Sequence, residues 1–403
     1  MKKILALLLA FVMVFGLVAC GGSTEETEAA TEAATEAATE AATEAATLPA
    51  ETEAPVEAAG MKVAMITDYG DITDQSFNQT TYEAGKAWSE ENGVTYNYYK
   101  PSGDSDPERI AMIDAAVADG YNVILLPGFA FAGAIAATAE MYPDVTFIAL
   151  DVAEFDLISA GVDPIPANVF SAVYQEELSG YMAGYAAVKL GYRKLGYLGG
   201  MAVPAVQRFG YGWLQGVEAA AAELGCTEEI TMEWAYGNQF YGDADITAVM
   251  DTWYGEKGVE CVFACGGGIW TSAAEAAAKV GGKVVGVDVD QAAIIDGQFG
   301  EGMCITSAMK GLAPTVKTLL SEVAAGNFAN YGGKVMTMGL ISEVPEENYV
   351  QLAGSTLYED GKFTEEDYKA MVAGMFNGEI VVSSAIDAMP EVSYTINDSG
   401  NLK

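Results

Sequence analysis

The chain has 403 residues, 51% of them hydrophobic, and it contains no histidine. The missing imidazole excludes Ser-His-Asp and Cys-His catalysis and every histidine-ligated zinc site. Because 57 acidic residues face 19 basic ones, for a net charge of −38, nucleic acid is not expected as a partner.

The first 19 residues have the pattern of an export signal. Two lysines precede an apolar run at 4–19, which is short for a membrane span and typical of a signal peptide. The run ends in Leu-Val-Ala-Cys at 17–20, which resembles the bacterial lipobox. That resemblance implies a diacylglyceryl group on Cys20; an ordinary signal followed by a chance cysteine is the alternative. We expect lipid anchoring at the extracytoplasmic face of the bacterial cell membrane.

Residues 20–60 form a low-complexity acidic segment. The unit TEAA repeats from residue 31 to residue 46, and a four-residue period would stack its glutamates on one helix face, where like charges repel. The segment has no apolar face to bury, so we predict a disordered tether between Cys20 and the folded body.

From residue 61 onward, apolar segments alternate with helical patterns. The segments "KVAMIT", "NVILLP" and "VTFIALD" are continuously apolar, as strands of a parallel sheet covered on both faces are. The alternation restarts at "KLGYLGG" and continues through "ECVFACGGG", "KVVGVDVD" and "CITSAM". The prediction is an α/β protein with two doubly wound parallel-sheet lobes joined by a hinge. We expect an N-terminal lobe at 61–170, joined by about 307–330, and a C-terminal lobe at 171–306, joined by about 331–403.

Ligands of doubly wound sheets bind beyond the carboxyl ends of the strands, so the residues that follow each predicted strand are candidates for a site. Singly, each of them could be a helix cap, a turn residue or a core contact. Together they supply several carboxylates, one amide, two aromatic rings and one cation, which suits a neutral ligand rich in O–H and N–H donors, such as a polyol or a nucleoside. The candidates are Asp68, Phe77, Asn78, Asp151, Phe209, Gly266, Gly267, Asp288 and Lys310.

Four motifs in this body resemble the basic membrane protein family of bacterial lipoproteins, of the purine nucleoside receptor type. They are DxxxxxxxSFN at 68–78, FGYGWLQGV from residue 209, VGVDVDQ from residue 285 and TSAMK ending at residue 310. The resemblance covers roughly 62–340. It implies a type I periplasmic-binding-protein-like fold, in which the two lobes close on a ligand for an ABC importer. It also implies partner permease subunits, and we expect a monomer.

The resemblance also implies roles for single residues. Two phenylalanines that sandwich a purine in the family match Phe77 and Phe209, and an aspartate and a lysine that hold ribose hydroxyls match Asp288 and Lys310. Family residues that contact the ligand from the first lobe match Asp68, Asn78 and Asp151, and the family's glycine turn matches Gly266 and Gly267. Tyr69 and Trp270 are larger than the pattern leads one to expect, and we interpret them as side chains that modify the pocket.

Four functions follow from these observations. The first is a lipid-anchored solute-binding protein for a purine nucleoside. The second keeps this class of protein and replaces the ligand by a pentose-like monosaccharide or a free purine base, since carboxylates and rings suit these equally. The third is a hydrolase that uses paired carboxylates, and the fourth is an adhesion or sensory lipoprotein. We expect no catalytic group, no cofactor and no metal site.

Overall fold

The computed structural model describes residues 45–49, 58–68 and 70–403. The predicted signal peptide, Cys20, most of the predicted tether and Tyr69 lie outside the described residues. None of the helices in the described part of the chain has both the length and the apolar character that a membrane span requires.

The strands form two sheets, one in each lobe. The first has six strands in the order β11-β5-β4-β3-β1-β2, all parallel. The second has seven in the order β12-β10-β9-β8-β6-β7-β13, of which only β12 runs antiparallel to its neighbour among the described strands. The strands are β1 Lys62–Ile66, β2 Thr95–Tyr99, β3 Val123–Pro127, β4 Thr146–Leu150, β5 Val169–Tyr174, β6 Lys194–Gly199, β7 Thr231–Tyr236, β8 Cys261–Cys265, β9 Lys283–Asp288, β10 Cys304–Lys310, β11 Lys334–Met338, β12 Val350–Leu352 and β13 Thr395–Asn401.

Helices cover both faces of each sheet, so the central strands are buried over most of their length. The helices are α1 Phe77–Glu91, α2 Asp106–Ala118, α3 Ala132–Thr138, α4 Glu154–Ser159, α5 Glu176–Lys189, α6 Pro204–Leu224, α7 Ala244–Asp251, α8 Trp270–Ala278, α9 Ala292–Phe299, α10 Leu312–Ala324 and α11 Glu365–Phe376. The predicted fold class is confirmed: each lobe is a doubly wound parallel α/β sheet.

The two sheets repeat one topology. The strand order 2-1-3-4-5 of the first lobe recurs as 7-6-8-9-10 in the second. In each sheet the order of the strands reverses at one point, between β1 and β3 in the first lobe and between β6 and β8 in the second. Ligands bind at this reversal point, where the loops after the two neighbouring strands diverge. The loops after β1 and β3 in one lobe, and after β6 and β8 in the other, therefore define where a site can form.

The chain crosses between the lobes after β5, after β10 and after β11. At the crossings, Gln175 N–H donates to Met338 O at 2.9 Å and Gly311 N–H donates to Tyr349 O at 2.7 Å, so the connections are bonded to each other. Several boundaries differ from the sequence-based expectation. The first lobe extends through β5 to residue 174, β10 belongs to the second sheet rather than the first, and β11 pairs with the first sheet. Gln175 alone separates β5 from α5, and Gly311 alone separates β10 from α10, so these two crossings are too short to show a linker composition; the third, at 339–349, is longer.

The last part of the predicted tether also differs from the expectation. Ala46 N–H donates to Thr337 O at 2.7 Å, and Leu48 is buried against the core of the body. Strand β11 lies at the edge of its sheet and so offers an unpaired carbonyl, and Leu48 supplies an apolar group that the TEAA repeats lack. Residues 45–49 are therefore packed onto the N-terminal lobe.

Helices α5 and α6 touch backbone to backbone through glycines. A Cβ at Gly212 or Gly216 would lie 2.0 Å from the carbonyl oxygen of Glu177 or Tyr181, and a Cβ at Gly180 would lie 2.1 Å from the carbonyl oxygen of Phe209. This close approach fixes the position of α6, which carries Phe209, relative to the start of α5.

We expect Gly212→Ala to lower the free energy of unfolding by about 1–3 kcal/mol, because the added methyl must separate two packed helices. Urea unfolding measures this. Gly297→Ala is the matched control: Gly297 is exposed within α9, with nothing within 4 Å of an added Cβ, so the same change should stabilise the protein by about 0.5–1 kcal/mol. Equal effects of the two substitutions would contradict the packing argument.

Candidate ligand-binding site

A cavity lies between the lobes at the carboxyl ends of both sheets. Its empty volume is about 620 Å³, a figure that includes space open to solvent. All nine candidates that were predicted to bind a ligand line it: Asp68, Phe77, Asn78, Asp151, Phe209, Gly266, Gly267, Asp288 and Lys310. Residues far apart along the chain thus meet at one place; Asp68 and Gly267, for example, are 199 positions apart. Their contact with a ligand stays a prediction.

The Asn78 amide has a fixed orientation. Its Nδ2 donates to Asp68 Oδ1 at 3.0 Å and to Asp74 Oδ2 at 3.1 Å. Because two carboxylates accept from the amide nitrogen, Oδ1 must point the other way. This oxygen is buried and accepts no hydrogen bond from any described residue. The side chain therefore offers an acceptor in the wall of the cavity.

Asp74 holds the start of α1. Its carboxylate accepts from the backbone N–H groups of Ser76 (2.9 Å), Asn78 (2.9 Å) and Gln79 (3.0 Å), which are the unpaired donors of the first helical turn. Burial raises the pKa of Asp74 to about 6, although these hydrogen bonds oppose the shift. Asp74 lines the cavity and orients Asn78, yet it was not among the predicted site residues.

Asp151 and Asp288 occupy equivalent places in the two lobes, each at the carboxyl end of the fourth strand. Both have left-handed backbone conformations, with φ of 63° and 66°, which aspartate tolerates better than most residues and which recur at functional sites. Asp151 Oδ1 is buried and accepts no hydrogen bond within the described residues. It is a second acceptor available to a ligand.

Lys310 is the cation of the site. Its buried ammonium lies 2.5 Å from Asp151 Oδ2, 3.4 Å from Glu176 Oε1 and 3.8 Å from Asp288 Oδ1. Burial alone would lower the pKa of Lys310, but the three carboxylates raise it above its ordinary value. Lys310 is therefore a permanent charge, outnumbered locally by acids. Arg208 pairs with Glu176 at 2.6 Å and does not line the cavity.

Burial dominates the ionisation of the two strand-end aspartates. It raises the pKa of Asp151 to about 6, against the lowering effect of Lys310, and it raises the pKa of Asp288 against the effects of Lys310 and Ser76. A ligand that donates hydrogen bonds to these carboxylates replaces part of their lost hydration, whereas an anionic ligand would add repulsion.

Two of the predicted aromatic rings lie beside the Lys310 ammonium. The centroid of Phe77 is 4.7 Å from Nζ and that of Phe209 is 5.6 Å from it, and Phe209 is held edge-on to Phe263. Phe77 belongs to the first lobe and Phe209 to the second. The two rings therefore reach the cavity from different lobes, and aromatic faces are surfaces on which a heterocycle can stack.

Direct bonds join the lobes beside the cavity. Ser76 Oγ donates to Asp288 Oδ2 at 2.5 Å, and Gln291 Nε2 donates to Gln75 O at 3.0 Å. Gln291 is fixed in turn, because its Oε1 accepts from Val287 N–H at 2.9 Å. These contacts describe a closed arrangement, in which Ser76 occupies one oxygen of Asp288.

Among the residues at the cavity that were not predicted from the sequence, four carry acidic or aromatic side chains. Asp74, Phe129 and Phe240 line the cavity, and Glu176 lies beneath it against Lys310. The signal for Asp74 was present, since an acid before Ser-Phe-Asn at a helix start is a capping pattern. Phe240 lies on a loop without a motif, so its place depended on the tertiary structure.

Trp270 does not act as predicted. Its indole is fully buried in the core of the second lobe, edge-on to Phe299, and it is not among the residues that line the cavity. The first residue of α8 points its side chain under the helix rather than toward the other lobe. Tyr69, the other predicted modifier, lies outside the described residues. Among the described residues, no cluster of potential metal ligands is present.

Comparison with protein families gives one match over most of this body. The family described as ABC transporter substrate-binding protein, PnrA-like, matches residues 61–368. The chain is 28% identical over 297 residues to the ABC transporter nucleoside-binding protein BmpA of Lactococcus lactis subsp. cremoris, covering 70% of this chain and 79% of that protein. It is 27% identical over 296 residues to Basic membrane protein B of Borreliella burgdorferi, covering 70% and 78%.

Among solved structures, the chain resembles an ABC transporter system solute-binding protein of Aeropyrum pernix K1. The TM-score is 0.61 at 22% identity, and the match covers 80% of this chain and 87% of that one. At this identity the likeness concerns the fold, and it agrees with the two-lobe architecture described above.

Proposed function

The chain belongs to the PnrA-like family of ABC transporter substrate-binding proteins, and from this premise we propose that it captures a purine nucleoside between its lobes for delivery to an ABC permease. Membership confirms the resemblance predicted from the four motifs. It also identifies a transporter binding protein, not an enzyme, which excludes the hydrolase alternative.

The observation that carries the nucleoside proposal is a pair of buried acceptors beside two aromatic faces. Asn78 Oδ1 and Asp151 Oδ1 lack hydrogen-bond donors within the described residues, and a buried acceptor without a donor is costly. N–H groups on a purine edge satisfy such acceptors while the ring stacks on Phe77 and Phe209.

The remaining polar groups suit a sugar. Asp288 Oδ1 and Lys310 Nζ lie 3.8 Å apart and line the same cavity, so vicinal hydroxyls can donate to the carboxylate and accept from the ammonium. The acids in the wall disfavour phosphate. A relative described as a nucleoside-binding protein supports the same ligand class.

We further propose that ligand capture and lobe closure are linked. The Ser76–Asp288 and Gln291–Gln75 bonds join the lobes next to the ligand groups, so closing around the ligand completes them. The closed face then docks on the permease. Lipidation at Cys20 would hold the protein at the extracytoplasmic membrane face, a proposal supported by the lipobox pattern and by a relative described as a basic membrane protein.

A thermal-shift and calorimetry series tests the proposal on the purified full-length protein. Inosine, guanosine or adenosine should raise the melting temperature, as a ligand at 100 times its Kd stabilises the folded state by about 2.7 kcal/mol. Phe77→Ala should weaken nucleoside binding by about 1–3 kcal/mol, the usual worth of base–aromatic stacking. Phe155→Ala, which removes a ring that is 76% exposed on α4, is the control and should leave binding unchanged.

Other outcomes redirect the ligand. Stabilisation by ribose alone would favour the monosaccharide alternative, and stabilisation by hypoxanthine or guanine alone would favour a free base. An unchanged Kd in Phe77→Ala would contradict the stacking role of this ring.

A further inference from the structure

A second, outer pocket adjoins the cavity at the mouth of the cleft. It has an empty volume of about 970 Å³, open to solvent, and it shares Gly70, Asp74 and Phe240 with the cavity. Its other walls are mostly polar and include Thr73, Thr271 and Gln298 among the described residues. Residues that line both spaces form the partition between them.

Phe240 is the large side chain in this partition, and it is seated on glycines. A Cβ at Gly200 would lie 2.4 Å from a ring carbon of Phe240, and a Cβ at Gly266 would lie 2.8 Å from the same carbon. These glycines follow β6 and β8, the strands that flank the reversal point of the second sheet. The ring therefore rests against the backbone at the ligand side of the sheet. A side chain at position 200 or 266 would occupy this space, so both positions require glycine.

The loop that carries Phe240 is fixed at several points. Phe240 O accepts from Gly268 N–H at 2.8 Å, and Gln239 Nε2 donates to Tyr241 O and Asp243 Oδ2, both at 2.9 Å. Lys403, the last residue, also donates to Gln239 Oε1 at 3.2 Å. The ring is thus a positioned wall and not a mobile surface side chain.

We propose that Phe240 determines the length of ligand that the site accepts. This inference rests on the proposed nucleoside function. The ring lies against the glycine turn after β8, beside strand β9, which ends in Asp288, and it lines both the cavity and the outer pocket. A nucleoside whose sugar ends in a free hydroxyl fits, whereas a nucleoside with an apolar substituent at the 5′ position meets the Phe240 ring.

The test compares adenosine with 5′-methylthioadenosine by calorimetry on the full-length protein. Wild type should bind the methylthio compound at least about tenfold more weakly than adenosine. A pocket shaped for the smaller ligand loses about this much affinity when the ligand carries one extra group. Phe240→Ala opens the cavity into the outer pocket, so the ratio of the two Kd values should fall to within about threefold. Phe240→Leu, which keeps an apolar side chain of smaller reach, should give an intermediate ratio and guards against a folding defect in the alanine variant.

Tyr241→Ala is the matched control. Tyr241 is the neighbouring aromatic residue, 60% exposed; it lines the outer pocket and not the cavity, so its removal should leave the ratio at the wild-type value. A wild type that binds both compounds equally, or a Phe240→Ala protein that keeps the tenfold ratio, would overturn the inference while leaving nucleoside binding intact. If wild type binds neither compound nor any other nucleoside, the proposed function itself fails and this inference fails with it.

Discussion

Lys310→Met should lower the free energy of unfolding by about 3–5 kcal/mol at pH 7. The substitution removes a fully buried ammonium that lies within 4 Å of three carboxylates, on Asp151, Glu176 and Asp288. A buried ion pair adds little net stability when formed, but removing one partner leaves the others charged and unsolvated. Urea unfolding of the ligand-free protein measures the effect.

The pH dependence separates this cause from simple loss of packing. Lys310 lowers the pKa of Asp151 and of Asp288, so its removal raises both further above the unfolded value. A carboxyl group with a raised folded-state pKa destabilises the folded state above that pKa, and this cost disappears as the pH falls toward the unfolded value of about 4. The stability difference between variant and wild type should therefore shrink from pH 7 to pH 4.5.

Lys279→Met is the control for removing a lysine charge. Lys279 pairs with Asp251 at 2.8 Å, but both side chains are more than 40% exposed, so water replaces the lost partner and the unfolding midpoint should stay near that of wild type. If the Lys310 and Lys279 variants were equally stable at pH 7, the buried charge cluster would not have the importance assigned to it.

Asn78→Asp should weaken nucleoside binding by about a hundredfold or more. The substitution replaces the amide nitrogen, which donates to Asp68 and Asp74, by a carboxylate oxygen. This oxygen would lie about 3 Å from an oxygen of each of those two acids. Repulsion between the carboxylates then turns the side chain away, so the acceptor that Asn78 Oδ1 offers to the ligand is lost. A binding site loses about this much affinity when a buried hydrogen-bonding group of the ligand is left without its partner.

Gln79→Glu provides the matched change of charge. Gln79 is the next residue on α1, it does not line the cavity, and its amide donates to Glu83. Calorimetry with inosine should find its Kd within a few-fold of wild type. A similar loss in both variants would assign the effect of Asn78→Asp to net charge instead of to the orientation of one amide.

The packing of α6 against α5 also affects the ligand-binding cavity. Gly212 sets the position of α6, and α6 presents Phe209 to the ligand and Arg208 to Glu176. A packing defect at Gly212 is therefore expected to weaken nucleoside binding together with stability, whereas Phe77→Ala should change binding with little effect on the unfolding midpoint, because Phe77 is only partly buried.

The fold class and the candidate residues could be predicted from the sequence because they depend on local patterns. Continuous apolar segments separated by helical ones determine a parallel α/β sheet, and the residues after each strand must lie at its carboxyl end, which is why all nine predicted residues line one cavity. The motifs around Asn78 and Lys310 added the family. No local sequence pattern, however, predicted which residues of one lobe would face which residues of the other.

Only the tertiary structure decided which of these groups face one another. The Ser76–Asp288 bond joins residues 212 positions apart, and the loop of Phe240 reaches the cavity through its seat on Gly200 and Gly266, so neither contact leaves a periodic signal in the chain. Trp270 was wrongly assigned to the pocket because side-chain direction at a helix start depends on the packing beneath it. The sequence by itself thus determined the chemistry available at the cleft, whereas the packing of the two lobes decided which polar atoms are satisfied by the protein and which are left for a ligand.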